Sequence, residues 1–200
     1  MATFTGTNAI DEFRRYTQDS AAPYRVDDTA ALGLVNQAQR MLAVMLPTAF
    51  LTRESINLVQ GCRQVKPHPR SQICTVVEAS NGATVTPVTR QLMDTLNSAW
   101  MNDAAAAVVQ HQVMIPEDKE NFYVYPPQPA TPSTAIVVSD ITPTALSVVG
   151  DTLEVEDRYF LAVPMLMVHI HYLEDAGVEA NSVLADKFLA EAKGILEARA

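Results

Sequence analysis

The sequence predicts an α+β fold: an antiparallel helical bundle made by N- and C-terminal helices, with an antiparallel β-hairpin block inserted between them. Three observations predict it. Apolar residues recur near every 3.6 positions at both ends of the chain, the period falls to near 2 in the middle, and residues 160–168 are apolar on every side. A helix with no solvent face has to be surrounded by protein, so 160–168 belongs at the centre of the bundle. Residues 1–200 read as a single domain: N-terminal helices over 8–47, a β-rich insertion over 51–140 carrying a short helix over 90–100, and a C-terminal helical hairpin over 157–198.

The elements follow in order. Ile10, Phe13 and Tyr16 or Thr17 share one face of a short opening helix. Asp27-Asp28-Thr29 starts the first long helix, in which Ala31, Val35, Ala38, Leu42 and Met45 form an apolar stripe; Pro47 ends it. Ile56 and Leu58 alternate with polar neighbours, as a strand does, and Gly61 with Pro67-His68-Pro69 marks turns. Residues 73–78 and 83–88 flank Ser80-Asn81-Gly82, and Asn-Gly predicts a tight type I′ turn. Pro87 puts its strand at an edge or a strand end. Leu92, Leu96 and Trp100 lie at fourfold spacing on the short helix over 90–100.

Residues 108–115 and 121–125 predict a second hairpin around Pro116-Glu117-Asp118-Lys119-Glu120. In it Phe122 and Val124 face one way, Tyr123 and Tyr125 the other. Residues 126–132 contain four prolines and predict an extended connector. A last short strand covers 135–138, and 142–155 leads back to the central helix with a turn at Gly150-Asp151. That helix takes Asp157 as N-cap and Gly177 as terminator. Pro164 would kink it, unless the helix starts there. Asn181 caps the final helix, whose face is Leu184, Phe188, Ala192 and Ile195, with Leu189 and Leu196 beside them.

Composition narrows the function. A net charge of −9 argues against a protein that grips nucleic-acid phosphates, while leaving room for a surface that DNA passes without sticking. Apolar residues make up 48% of the chain and charged ones 18%, a balance suited to a subunit that buries surface against neighbours. The apolar run before His169 and His171 is too short for a membrane span, so no membrane partner is expected. Cys62 and Cys74 are the only cysteines, and with no signal peptide at the N-terminus they read as free thiols in a reducing compartment.

Catalytic chemistry is not legible. His169 and His171, two apart on a helix, point about 200° from each other and cannot close on one ion; they read as core or interface residues. His68 and His111 have no visible partner. The cysteines lack C-x-x-C spacing, and no glycine-rich phosphate loop or nucleophile elbow occurs. Glu154, Glu156 and Asp157 form an acidic cluster that either binds a cation or is a solvated helix entrance. The reading is therefore a non-enzyme with no catalytic, cofactor-binding or metal residues. A cytosolic enzyme subunit using those three carboxylates on a metal is kept as an alternative.

The order of several stretches resembles the head-to-tail adaptor proteins (gatekeeper or head-completion proteins) of tailed bacteriophages. Residues 10–19 and Arg25-Val-Asp-Asp28 are similar to that family's opening helix and cap. Leu34-Val-Asn-Gln-Ala-Gln39 resembles its second helix, and Asn57-Leu-Val-Gln-Gly-Cys-Arg-Gln-Val-Lys-Pro67 its strand and glycine turn. Leu92-Met-Asp94 with Trp100, Asn121-Phe-Tyr-Val-Tyr-Pro-Pro127, and Asp157-Arg-Tyr159 followed by a long apolar helix, Tyr172, Asp175-Ala176 and Asn181 complete the likeness over about residues 8–198. Pro164 departs from it, since the family helix usually runs unbroken there.

The resemblance implies a structural virion protein at the neck, assembled in the host cytoplasm. It implies a homo-oligomeric ring, commonly of twelve subunits, that binds the phage portal protein and the tail tube or nozzle protein and continues the DNA channel, with DNA passing the lumen unbound. A tail-completion or tube-terminator protein is the nearest alternative. On this reading the hairpin tips, one at Asn81-Gly82 and one at Pro116 to Glu120 with Glu117, Asp118 and Glu120, and the neighbouring Tyr123 and Tyr125, meet the tail or adjacent subunits. Lys193 and Arg199 at the C-terminus meet the portal. The bland alternative is that the tips are solvated turns.

Overall fold

The protein is described by a computed structural model over residues 3–69, 71–131, 133–174 and 179–199. It is α+β, with five α-helices and two sheets among the described residues. The chain divides into two compact units, Met1–Phe50 with Thr142–Ala200, and Leu51–Ile141.

In the first unit, helix α1 (Gly6–Thr17) begins four residues before the first apolar position of its stripe. Thr5 and Asn8 explain the early start. The Thr5 backbone N–H donates to Asn8 Oδ1 at 2.9 Å and the Asn8 N–H to Thr5 Oγ1 at 3.4 Å, a reciprocal cap that satisfies two otherwise orphaned donors. α1 buries Ile10, Phe13 and Thr17 as its spacing requires. In the loop that follows, the Asp19 carboxylate accepts the N–H groups of Arg25 and Val26 at 2.9–3.1 Å. Arg14 lies over the Tyr24 ring and pairs with Asp28 at 2.6 Å. Helix α2 (Asp28–Met45) is capped by Asp27, whose Oδ1 accepts the Ala30 N–H at 2.8 Å. Its buried stripe is Ala31, Leu34, Val35, Ala38, Gln39 and Leu42, and a 3-10 turn follows at Pro47–Phe50.

The central segment departs from one continuous rod. A 3-10 turn at Asp157–Tyr159 precedes helix α4 (Ala162–Glu174; α3 lies in the second unit, below). Pro164 is the third residue of α4, where a backbone N–H would have no intrahelical acceptor, so the proline removes no helix bond there. Asp157 does not cap α4; it accepts the Thr3 N–H and hydroxyl at 2.8 and 2.9 Å. The expected terminator Gly177 and the Asp175-Ala176 motif lie outside the described residues.

Ala162, Val163, Leu166, Met167 and Val168 of α4 are fully buried. The helix packs against α1, α2 and α5 (Glu179–Arg199). Asn181, expected as the cap of α5, sits inside it. The α5 face holds at Ala192 and Leu196 and shifts at its start, where Ala185 takes the place expected for Leu184. Ala185, Ala192 and Leu196 are buried, whereas Leu184 is exposed and Phe188 and Ile195 are half-buried. Small alanines let the α5 backbone approach α4 closely, so that His169 Nδ1 meets the Ala185 carbonyl at 2.9 Å.

The second unit holds strands β1 (Leu51–Leu58), β2 (Gly61–Val65), β3 (Cys74–Ala79), β4 (Thr86–Thr89), β5 (His111–Met114), β6 (Asn121–Gln128) and β7 (Ser133–Asp140), with helix α3 (Arg90–Leu96) between β4 and β5. One sheet has the order β1-β7-β3 and the other β2-β6-β5-β4. Leu58, Val76, Ala79, Ala135 and Val137 from the first join Phe122 and Val124 from the second in a single apolar cluster. On the other face of the four-stranded sheet, Cys62, Val113, Tyr123 and Tyr125 pack with Met93 and Trp100 from the α3 segment. Thus β6 divides its side chains as the alternation predicts.

Three strand expectations are corrected. The turn over 80–82 is not type I′: Gly82 has φ +82° while Asn81 does not have positive φ, and the Gly82 N–H donates to Ala79 O at 2.9 Å. This is a three-residue turn with glycine in the left-handed position. After a single bridge between Glu78 and Thr84, the chain leaves β3 and β4 pairs in parallel with β5, so the block is not wholly antiparallel. The proline stretch does not stop pairing at once, since β6 runs through Pro126 and Pro127 to Gln128. The prolines fall beyond the end of β5 and opposite the register shift in β2, where the missing N–H groups cost no regular ladder bond. Pro87 does lie on a sheet edge, in β4.

The short helix is a fourth correction. α3 stops at Leu96, and Trp100 belongs to a separate 3-10 turn, Trp100–Asn102. Trp100 is buried, but Leu92 and Leu96 are exposed, the latter at 72%. With two turns only, α3 seats one residue, Met93, on the sheet.

Candidate functional site

The polar groups of the second unit gather where the β5–β6 turn meets the tyrosine face of β6. The turn is closed by the Asp118 N–H donating to Ile115 O at 3.1 Å, and beside it the Lys66 N–H donates to Glu120 O at 3.1 Å. Asp118 then collects donors. Asn121 Nδ2 reaches one of its oxygens at 2.7 Å, Tyr123 Oη the other at 2.8 Å, and Arg63 Nε lies at 3.7 Å. These bonds to Asn121 and Tyr123 hold the Asp118 carboxyl below the usual carboxylate range, and the same bond pushes the Tyr123 hydroxyl up. Glu117 and Glu120 flank this network with exposed side chains.

Tyr125 repeats the arrangement one step along the strand. Its hydroxyl donates to Asp103 Oδ2 at 2.9 Å, and that oxygen also accepts Asn97 Nδ2 at 2.5 Å. The bond to Asp103 raises the Tyr125 hydroxyl above its ordinary value. The Tyr125 ring stacks with His111, centroids 6.1 Å apart. Trp100 Nε1 donates to Asp94 Oδ1 at 2.9 Å. The Trp100–Asp94 bond ties the segment from Arg90 to Asp103 to itself, while the Tyr125–Asp103 bond and the packing of Trp100 latch it to the sheet. A shallow groove beside it is lined by Thr89, Arg90, Asp94, Met114, Pro116 and Glu117.

The residues expected to form an interface thus divide into two kinds. Glu117, Glu120 and Lys193 present free surface, while Asp118, Tyr123 and Tyr125 spend their polar atoms inside the fold. The side chain of Arg199 lies outside the described residues. Sequence reasoning set Asp94 beside Trp100 in the family resemblance without a role for either, and it missed Arg63 and Asp103 as partners of Asp118 and Tyr125, because those partners lie far away in the chain.

The other candidate groups are held separately. Glu154 accepts the Thr144 N–H at 2.9 Å, Glu156 pairs with Arg158 at 2.7 Å, and Asp157 holds Thr3. Among the described residues no group of three or more His, Cys, Asp or Glu is placed to hold a metal ion. His169 is buried on Ala185, His171 sits edge-on to Phe13 at 5.6 Å, and His68 reaches Glu54 at 2.7 Å. Cys62 and Cys74 are free thiols, each pushed up to about 11 by burial. No described helix is long and apolar enough to cross a membrane.

This is a surface of organised turns on a packed scaffold, and residues 5–200 match the family described as SU10 adaptor protein. The chain belongs to the SU10 adaptor family. The match takes in both units. No curated protein matches the chain. Membership makes this adaptor a phage structural protein with a head-to-tail adaptor role.

Proposed function

We propose that this adaptor assembles as a ring, of twelve subunits by family resemblance, fixed below the portal at the neck of the virion. The ring continues the DNA channel from the portal to the tail tube or nozzle. The match over residues 5–200 carries this reading. The net charge of −9 supports it, because an acidic lumen repels the phosphates of passing DNA. In this reading the N- and C-terminal helices act as one bundle, with residues 51–140 as its inserted block in a single functional domain. Lys193 and Arg199 meet the portal. The β5–β6 tip, through exposed Glu117 and Glu120, meets the tail or the next subunit, with Tyr123, Tyr125 and Asp118 shaping the tip from behind.

Assembly takes place in the host cytoplasm on a portal that already has its symmetry, since identical head-to-tail contacts close only at the correct rotation. The purified chain alone is then sparingly oligomeric, and adding portal yields a ring on size exclusion. The deciding experiment is deletion of the gene with complementation in trans. The expected phenotype is DNA-filled heads without tails, restored by the wild-type chain, with the chain found at the neck by electron microscopy. Normal tailed particles from the deletion would overturn the reading.

A further inference from the structure

The two sheets have four edges, and three are blunted. β3 has a register shift between Val76 and Glu78, and its outer side is already bonded. The Ala79 N–H donates to Ala83 O at 2.8 Å, the Val85 N–H donates to Val77 O at 3.4 Å, and the Gln112 side chain bridges the Val76 N–H and the Cys74 carbonyl at 2.8 and 2.7 Å. β4 is four residues long and contains Pro87. β2 is five residues long with a register shift between Gly61 and Arg63. Short strands, bulges, proline and charge are the devices by which sheets refuse a further strand.

Of these β1 carries only charge, at Arg53 and Glu54. It is eight residues long, pairs with β7 without a shift from Leu51 to Leu58, and contains no proline. Among the described residues its other edge meets no strand, and no backbone hydrogen bond reaches it. Both charged side chains already have partners within the unit: Arg53 pairs with Glu78 at 2.8 Å, and Glu54 is bonded to His68 Nε2 at 2.7 Å. The face bearing Ile56 and Leu58 runs into the apolar cluster between the sheets.

We propose that β1 is a strand-addition site: its free edge receives an extended, uncharged segment of another virion protein, an apolar residue of which lies beside Ile56. A ladder of main-chain bonds would supply affinity and the side chain beside Ile56 would supply register. A second copy of this chain is the poorer occupant, because its other edges are blunted and only its own β1 remains. The inference rests on the adaptor reading.

Amide exchange measured by mass spectrometry on the free chain and on purified particles tests it. The expected result is that β1 amides exchange slower in particles by about tenfold or more, the equivalent of one added backbone bond. Neighbouring strand residues point their N–H groups to opposite edges. Of Glu54→Pro and Ser55→Pro, one therefore breaks the β7 ladder and the other only blocks the free edge. The second should melt near its alanine control yet be depleted from particles by a similar factor. Unprotected β1 in particles, or normal incorporation of the well-folded proline variant, overturns the proposal. A solution dimer with protected β1 assigns the edge to a second copy and overturns it too. If the wild-type chain is missing from particles, the adaptor reading itself falls and this inference with it.

Discussion

Tyr123 Oη donates to Asp118 Oδ2 at 2.8 Å, and this bond turns a surface acid into the brace of its own turn. Asp118 sits between two acids that have no such duty, which makes the three separable by mutation. Glu117→Lys and Glu120→Lys should leave stability within about 0.5 kcal/mol of wild type. Asp118→Ala should lower the melting temperature clearly more than either. Tyr123→Phe should cost about 1 kcal/mol, as loss of a hydrogen bond does. Thermal melts of the four variants check the order; equal melting of Asp118→Ala and Glu117→Lys would remove the brace from the account.

Leu166 is fully buried in α4, a helix with partners in α1, α2 and α5. Leu166→Ala should destabilise by roughly 2–5 kcal/mol in denaturant titration, the range for a buried leucine that leaves a cavity. Leu166→Asp should prevent folding. A loss below 1 kcal/mol for the alanine variant, far under that range, would mean that the site collapses freely or is not core.

Gln39 is 1% exposed in the buried stripe of α2, and neither its Nε2 nor its Oε1 has a hydrogen-bond partner among the described residues. An unsatisfied buried amide costs stability, and methionine has nearly the same shape without the polar atoms. Gln39→Met should raise stability by about 1–3 kcal/mol, read from the midpoint of chemical unfolding. A fall would indicate an ordered water holding the amide.

Asp19 receives the N–H groups of Arg25 and Val26, and these hold its carboxyl below the ordinary value. A group with a depressed folded pKa binds its proton more tightly when unfolded. Its stabilisation is complete above the unfolded value of about 3.9 and is lost as the pH falls through the lower folded value. Asp157, held by Thr3, behaves alike. Stability measured from pH 6 down to 2 should therefore decline, and Asp19→Asn should be less stable at pH 6 with a shallower decline. An unchanged slope in Asp19→Asn would show that other carboxylates carry the acid sensitivity.

What the sequence determined by itself is what near neighbours decide. The start of α2 at Asp27-Asp28-Thr29, Ala31, Val35, Ala38 and Leu42 as its stripe, the buried centre of α4, and the division of Phe122 and Val124 from Tyr123 and Tyr125 all follow from period and capping. The order of short stretches along the chain also carried the adaptor resemblance, and the family match bears it out. The tertiary structure alone decided the rest. β4 joins β5 in parallel, Ala185 rather than Leu184 is buried in α5, and Leu96 faces solvent while Met93 is buried. Asp118, Asp94 and Asp103 became scaffold only once Tyr123, Trp100 and Tyr125 were brought to them. Period and caps depend on residues three or four apart, where the backbone fixes geometry; strand partners and side-chain latches depend on which distant surface offers the better burial.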